Sequence, residues 1–147
     1  AATIWGRVKI AASDSKQKIP GYFCAANVDA LRACGVSGNK TKALLSINEA
    51  CEDGRLRPAT LRRLDVEARA ATLIELRGVG QWTVDMASMF YFGDTDVWPE
   101  GDLSVSRTFN GFLDKRQARR RDKILAGFSP NRSFLAVYMW RVLDNAP

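Results

Sequence analysis

The sequence predicts an all-α fold, and three observations carry that expectation. Apolar residues recur at helical spacing in one segment after another. No convincing pair of alternating strands is present. The helix-like stretches are parted by short loops carrying Gly, Pro, Asp or Asn. At 147 residues the chain is long enough to bury a real core, and one domain over 1–147 is expected.

The elements follow in order. "AATIWGRVKIAA" reads as a helix already under way, with no cap before it, so an N-terminal part of the fold is expected to be missing. "NVDALRACGV" is a short helix with Asn27 as its candidate cap and Gly35 at its end. "SGNKTKALLSINEACEDGRL" carries a stripe of Ala43, Leu44, Ile47, Ala50 and Cys51. A turn of helix, "ATLRRL", follows Pro58. "DVEARAATLIEL", capped by Asp65, should face Val66, Ala70, Leu73 and Leu76 or Ile74 inward. After "RGVG" come the helix "QWTVDMASMFYF" and the loop "GDTDVWPEG". A helix from about Leu103, a basic helix over 115–126 and a closing helix "NRSFLAVYMWRVL" complete the chain.

Composition narrows the chemistry. Hydrophobic residues make up 46% of the chain and charged residues 26%, which fits a globular protein. The apolar runs fall short of the roughly 18–20 residues that a membrane span requires, so no membrane partner is expected. Cys24, Cys34 and Cys51 are odd in number, widely spaced and free of any CxxC. They read as buried free thiols of a reducing, intracellular compartment, the cytoplasm or nucleoid, or a nucleus. No histidine is present, which removes His-based metal sites and the Ser-His and Cys-His nucleophilic systems.

The formal net charge is +6, a surplus that favours a polyanionic partner, nucleic acid first. In "DKRQARRRDK" (114–123) six of ten residues are Arg or Lys. A solvated helix face with i,i+4 pairs and a phosphate-contacting face both account for it.

"LIELRGVGQWTVDMASMF" (73–90) is the most specific stretch. Gly78-Val79-Gly80 joins two helices in a tight hairpin, with Val79 filling the space between them. The glycines allow unusual backbone angles and close approach of a ligand. The first amides of the helix that starts near Gln81 carry a positive dipole end that suits a phosphate. A plain αα-hairpin with a Gly cap would look similar. "VWPEGDLSVSR" (97–107) then sets Asp102 before a helix, where a carboxylate is a natural N-cap. A helix start also favours the ionised carboxylate, so cap and catalyst are compatible roles. Asp94, Asp96 and Glu100 read as solvated loop acids.

These stretches together resemble the HhH-GPD superfamily of DNA glycosylases, over essentially the whole chain and in consistent order. The resemblance is nearest to the 3-methyladenine glycosylase II (AlkA-like) branch. "LRGVGQWT" resembles the superfamily's helix–hairpin–helix, here at about 65–92, and "WPEGD" its Pro-x-x-Asp segment. "NRSFLAVYMWRV" is similar to its closing helix, and "ALRACGVSGNKTKALLSINEACEDGRL" to its middle helices.

The resemblance implies a monomeric, compact helical glycosylase that binds double-stranded DNA containing damaged bases and acts in base excision repair. It makes Asp102 the catalytic residue and places Gly78, Val79, Gly80, Gln81 and Thr83 on the DNA. Trp82 stands where relatives with lyase activity carry Lys, so hydrolysis without lyase chemistry is expected. Trp82 and Trp140 would wall a pocket for flipped cationic purines such as 3-methyladenine and 7-methylguanine. Trp140 is equally readable as core, and Trp5 and Trp98 as packing. No cofactor is expected to be required. A Na or K ion on the main-chain carbonyls of Ile74, Leu76 and Val79 would bridge to a DNA phosphate. Asn39 is the candidate for the side chain that fills the gap left by the flipped base. A non-catalytic helix–hairpin–helix DNA-binding module is the alternative.

Overall fold

The computed structural model describes residues 2–145, and among them every regular element is helical. The chain divides into two compact units, 1–79 and 80–147, and each is described by itself.

The first unit is built from α1 (Ala2–Asp14), α2 (Ile19–Tyr22), α3 (Val28–Ala33), α4 (Gly38–Glu52), α5 (Pro58–Leu61) and α6 (Val66–Ile74). A 3-10 turn over Ala25–Asn27 leads into α3. Val8 and Ala12, four apart on α1, close over Tyr22, Leu31, Cys34 and Val36 to form its core. Pro58 opens α5, where the missing N–H costs nothing. Asp65 caps α6 as expected, its Oδ1 accepting the Ala68 N–H at 2.7 Å.

Several expectations in this unit are corrected. Asn27 precedes α3 but makes no side-chain cap. Its Nδ2 donates instead to Gln17 Oε1 at 2.8 Å and to the Tyr22 carbonyl at 3.0 Å. Val66 and Ile74 are exposed, while Arg69 is the buried side chain of α6 and Leu76 is buried just beyond its end. The guanidinium of Arg69 donates to the Leu64 carbonyl at 3.4 Å, a local acceptor that the apolar pattern could not register. The three cysteines are free, but only Cys34 is buried and Cys51 is exposed. Trp5, expected to pack, is about half exposed.

The second unit contains α7 (Gln81–Ala87), continued by a π turn over Ser88–Phe92, then α8 (Leu103–Gly111), α9 (Lys115–Ala118), α10 (Arg121–Ala126) and α11 (Arg132–Asp144). Gly93, at φ +80°, ends the π turn in a left-handed conformation that glycine adopts without penalty. The core gathers Met89, Val105, Phe109, Leu125, Ala136 and Met139, with Trp98 and Trp140 packed on it. Trp98 meets the Phe109 ring edge-on at 5.2 Å, the packing role expected of it.

The basic helix expected over 115–126 is two helices. Asp114 and Gln117 form a reciprocal capping box around α9, and Arg120 leaves helical geometry at φ −123°, ψ 19° before α10 begins.

Candidate active site and nucleic-acid interface

The loop between the π turn and α8 is held by its acids. Asp96 takes a two-pronged ion pair from Arg132 at the start of α11, at 2.7 Å to Nε and 3.0 Å to NH2, and accepts Ser129 Oγ at 2.7 Å. The Arg132 guanidinium holds the Asp96 carboxyl down to about 2, against the opposing push of burial and with help from Ser129. Ser133 adds a second tie, accepting the Val97 N–H at 2.9 Å and donating to the Asp94 carbonyl at 2.7 Å. Asp96 is therefore not a solvated loop acid, whereas Glu100 is exposed as expected but carries an ion pair. Arg121 reaches Glu100 Oε1 at 3.0 Å while also donating to Asn110 Oδ1 and Asp122 Oδ1. Its guanidinium lies 5.9 Å from the centroid of the Phe109 ring.

Within this frame the chain turns at the fully buried Pro99, whose carbonyl accepts the Asp102 N–H at 2.9 Å. Asp102 then caps α8, Oδ1 accepting the amides of Ser104 at 2.9 Å and Val105 at 3.0 Å. Its other oxygen, Oδ2, accepts the indole N–H of Trp82 at 2.9 Å. Partial burial pushes the carboxyl upward. The Val105 amide, the Trp82 indole, the Ser104 amide and the Trp140 indole together outweigh it, so the carboxyl sits below its ordinary value. The half-buried site thus holds a negative charge at neutral pH.

The surrounding walls are aromatic. Trp82, in the first turn of α7, leaves half its surface open. Trp140 is packed into the core on one side and stacks on exposed Phe90, with ring centroids 5.9 Å apart. It is both a core residue and a neighbour of Asp102. An ionised carboxylate flanked by aromatic rings suits a group that carries or develops positive charge. Phe90 was not singled out by the sequence, because its approach to Trp140 depends on where α11 returns.

The glycine turn takes its positive φ where expected. Gly78 sits at φ +80°, and a Cβ there would lie 2.6 Å from the Cβ of Ala43 on α4. Val79 N–H closes the turn on the Leu76 carbonyl at 3.0 Å. Gly80 precedes α7 in extended geometry and faces open space. Gln81 turns its carboxamide along its own helix, donating to Asp85 Oδ1 at 2.8 Å, and the Thr83 amide bonds the Gly80 carbonyl at 2.9 Å. Asp85 is a buried carboxylate that the sequence did not flag, and burial raises its pKa.

Three expected residues thus come together: Asp102, Trp82 and Trp140. Asn39 belongs to the first unit, exposed in the first turn of α4. Of the carbonyls expected to face a cation, that of Leu76 already accepts the Val79 N–H. Among the described residues no group of three or more Cys, Asp or Glu is placed to hold a metal ion. No described helix is long and apolar enough to cross a membrane.

No protein-family model matches the chain. It is 30% identical over 151 aligned positions to DNA-3-methyladenine glycosylase 1 of Schizosaccharomyces pombe, covering 96% of this chain and 64% of that protein. It is 26% identical to DNA-3-methyladenine glycosylase 2 of Escherichia coli, covering 95% of this chain and 50% of that one. The chain therefore spans less than two thirds of these relatives' lengths. Among solved structures, the Schizosaccharomyces pombe 3-methyladenine DNA glycosylase in complex with abasic DNA superposes with a TM-score of 0.82. That match is at 28% identity and covers 98% of this chain and 72% of that one.

Proposed function

Because the chain is a homologue of the 3-methyladenine DNA glycosylases, of the AlkA-like helix–hairpin–helix branch, we propose that it removes alkylated purines from double-stranded DNA by hydrolysing the N-glycosidic bond. The observation that carries this reading is Asp102, ionised and hydrogen-bonded through both carboxylate oxygens, with Trp82 as the donor to one of them.

A base inside a duplex is out of reach, so the nucleotide must be flipped out of the stack. As the bond from C1′ to the purine nitrogen lengthens, its electron pair leaves with the base, and positive charge builds on C1′ and the ring oxygen. The Asp102 carboxylate stabilises that charge. Water then adds to C1′ and gives its proton to the carboxylate. An N-alkylated purine is cationic while attached and departs neutral, so one acid without a histidine suffices. Trp82 and Trp140 offer ring faces to such a cation. With an indole in place of an amine at Trp82, no Schiff base forms there, and the product is an abasic site without strand cleavage.

The turn at Gly78, Val79 and Gly80, with Gln81 and Thr83, would lie against the DNA backbone, the Val79 and Thr83 amides being already spent on the Leu76 and Gly80 carbonyls. A monovalent cation on the carbonyls of Ile74, Leu76 and Val79 would bridge to a phosphate. Asn39 remains the candidate for filling the vacated stack. The chain acts as a monomer in this reading.

The test is release of free base from methylated duplex DNA. Recovery of 3-methyladenine or 7-methylguanine, with alkali-sensitive but uncleaved strands, is the expected result. Duplex binding without base release would instead establish a non-catalytic DNA-binding module.

A further inference from the structure

We propose that the bent pair α9–α10 forms a second duplex-DNA contact surface, in which Arg116, Arg119 and Arg120 engage backbone phosphates. This rests on the reading of DNA as the partner and adds a site that the glycine hairpin does not supply.

Six cations stand between residues 114 and 123 together with two carboxylates. In a solvated helix those carboxylates would neutralise part of the charge through i,i+4 pairs. Neither forms an ion pair with Arg116, Arg119 or Arg120. Asp114 spends Oδ1 on the amides of Arg116 and Gln117, each at 2.7 Å. Asp122 pairs with Arg121 at 3.1 Å. Arg121 is itself turned inward, four-fifths buried, onto Glu100, Asn110 and Phe109. Lys115, Arg116, Arg119, Arg120 and Lys123 are left exposed, with no ion pair among the described residues.

The backbone gathers part of this charge. An unbroken helix over 115–126 would place Arg119 about 100° around the axis from Arg120. The break at Arg120 brings Arg116, Arg119 and Arg120 to one open cleft of about 670 Å³, with Asp114, Gln117 and Ile124 as its remaining walls. The capping box fixes the α9 side of the cleft. Guanidinium groups prefer phosphate oxygens, which they meet through paired N–H donors. A cleft of unpaired arginines on a fixed mount therefore fits a regularly spaced polyanion. Sequence-independent phosphate contact is also what a repair enzyme needs on DNA flanking a lesion.

The experiment measures binding of undamaged duplex DNA against salt for the full chain and the triple variant Arg116→Gln, Arg119→Gln, Arg120→Gln. Each lost phosphate contact lowers the slope of log K against log salt by about 0.9, so a fall of about 2 to 3 is expected. The triple Arg→Lys variant should keep the slope near that of the wild type. A matched loss of three exposed charges from the first unit, Arg7→Gln, Lys9→Gln and Lys16→Gln, should change it by less than one contact. An unchanged slope in the first variant, or an equal fall in the matched control, overturns the proposal. Base release by the wild type is scored in parallel. Excision with an unchanged slope rejects this surface alone, whereas a lowered slope without excision rejects the glycosylase reading and leaves the surface standing.

Discussion

The indole nitrogen of Trp82 and the carboxylate of Asp102, twenty residues apart in sequence, meet at 2.9 Å. That bond joins the start of α7 to the start of α8, the two helix ends that carry the candidate chemistry. It also gives Trp82 two roles, as a ring face open to solvent and as a donor that keeps Asp102 charged.

Removing the donor while keeping the ring separates those roles. In Trp82→Phe, Asp102 loses one of the hydrogen bonds that offset its burial, so its pKa rises toward or above the ordinary carboxylate value. Carbon-13 NMR titration of the labelled aspartates reads this directly. If activity follows the ionised form, the acid limb of the pH–rate profile moves up with it. A titration curve that superimposes on the wild type would remove the bond from any account of the site.

Asp102→Asn keeps a side-chain oxygen at the N-cap, and Asn caps helices about as well as Asp. Its Nδ2 cannot accept the Trp82 N–H, so stability should fall by one hydrogen bond, about 1 kcal/mol, while base release falls by at least a hundredfold and duplex binding persists. Asp102→Ala loses cap and charge together, at about 1 kcal/mol more. Excision by the Asn variant at the wild-type rate would rule out catalysis by Asp102.

Gly78→Ala meets two obstacles, a left-handed backbone and the methyl of Ala43 at 2.6 Å. The backbone alone costs about 1–2 kcal/mol, and the overlap adds to it. Ala43→Gly in the same chain relieves the overlap but leaves the backbone strain. Thermal melts should therefore place the double variant between Gly78→Ala and the wild type.

The Asp96–Arg132 pair makes a prediction about acid. The Asp96 carboxyl is held at about 2 when folded, against an ordinary 3.8. Its contribution is complete above the ordinary value and is lost as pH falls from about 4 through 2. Asp96→Ala should cost on the order of 1 kcal/mol near neutrality, because a third-exposed pair is screened by water. The gap between variant and wild type should close in melts near pH 2.

Much of this was legible in the residues. Helical periodicity marked the main helices, and Asp65 and Asp102 announced helix starts because a carboxylate before an apolar run has a local partner in the next amides. The Gly-x-Gly turn was visible for the same reason, since positive φ is a local demand. What escaped were partnerships settled by the return of distant segments. Asp96 looked solvated because Arg132 lies 36 residues further on, and the partner of exposed Glu100, Arg121, lies 21 further on. Asp85 drew no notice in the sequence, yet it is buried beside Gln81. The two-helix form of 115–126 turns on one residue, Arg120, whose side chain carries no conformational signal.

The contact between Gly78 and Ala43 has one more consequence. A Cβ on residue 78 would meet the Ala43 methyl at 2.6 Å, and Ala43 is flanked by Lys42 and Leu44. A slip of α4 by one residue would rotate a long side chain toward the glycine and prise the turn open. Two of the smallest side chains in the protein thereby act as a gauge that accepts a single register of α4.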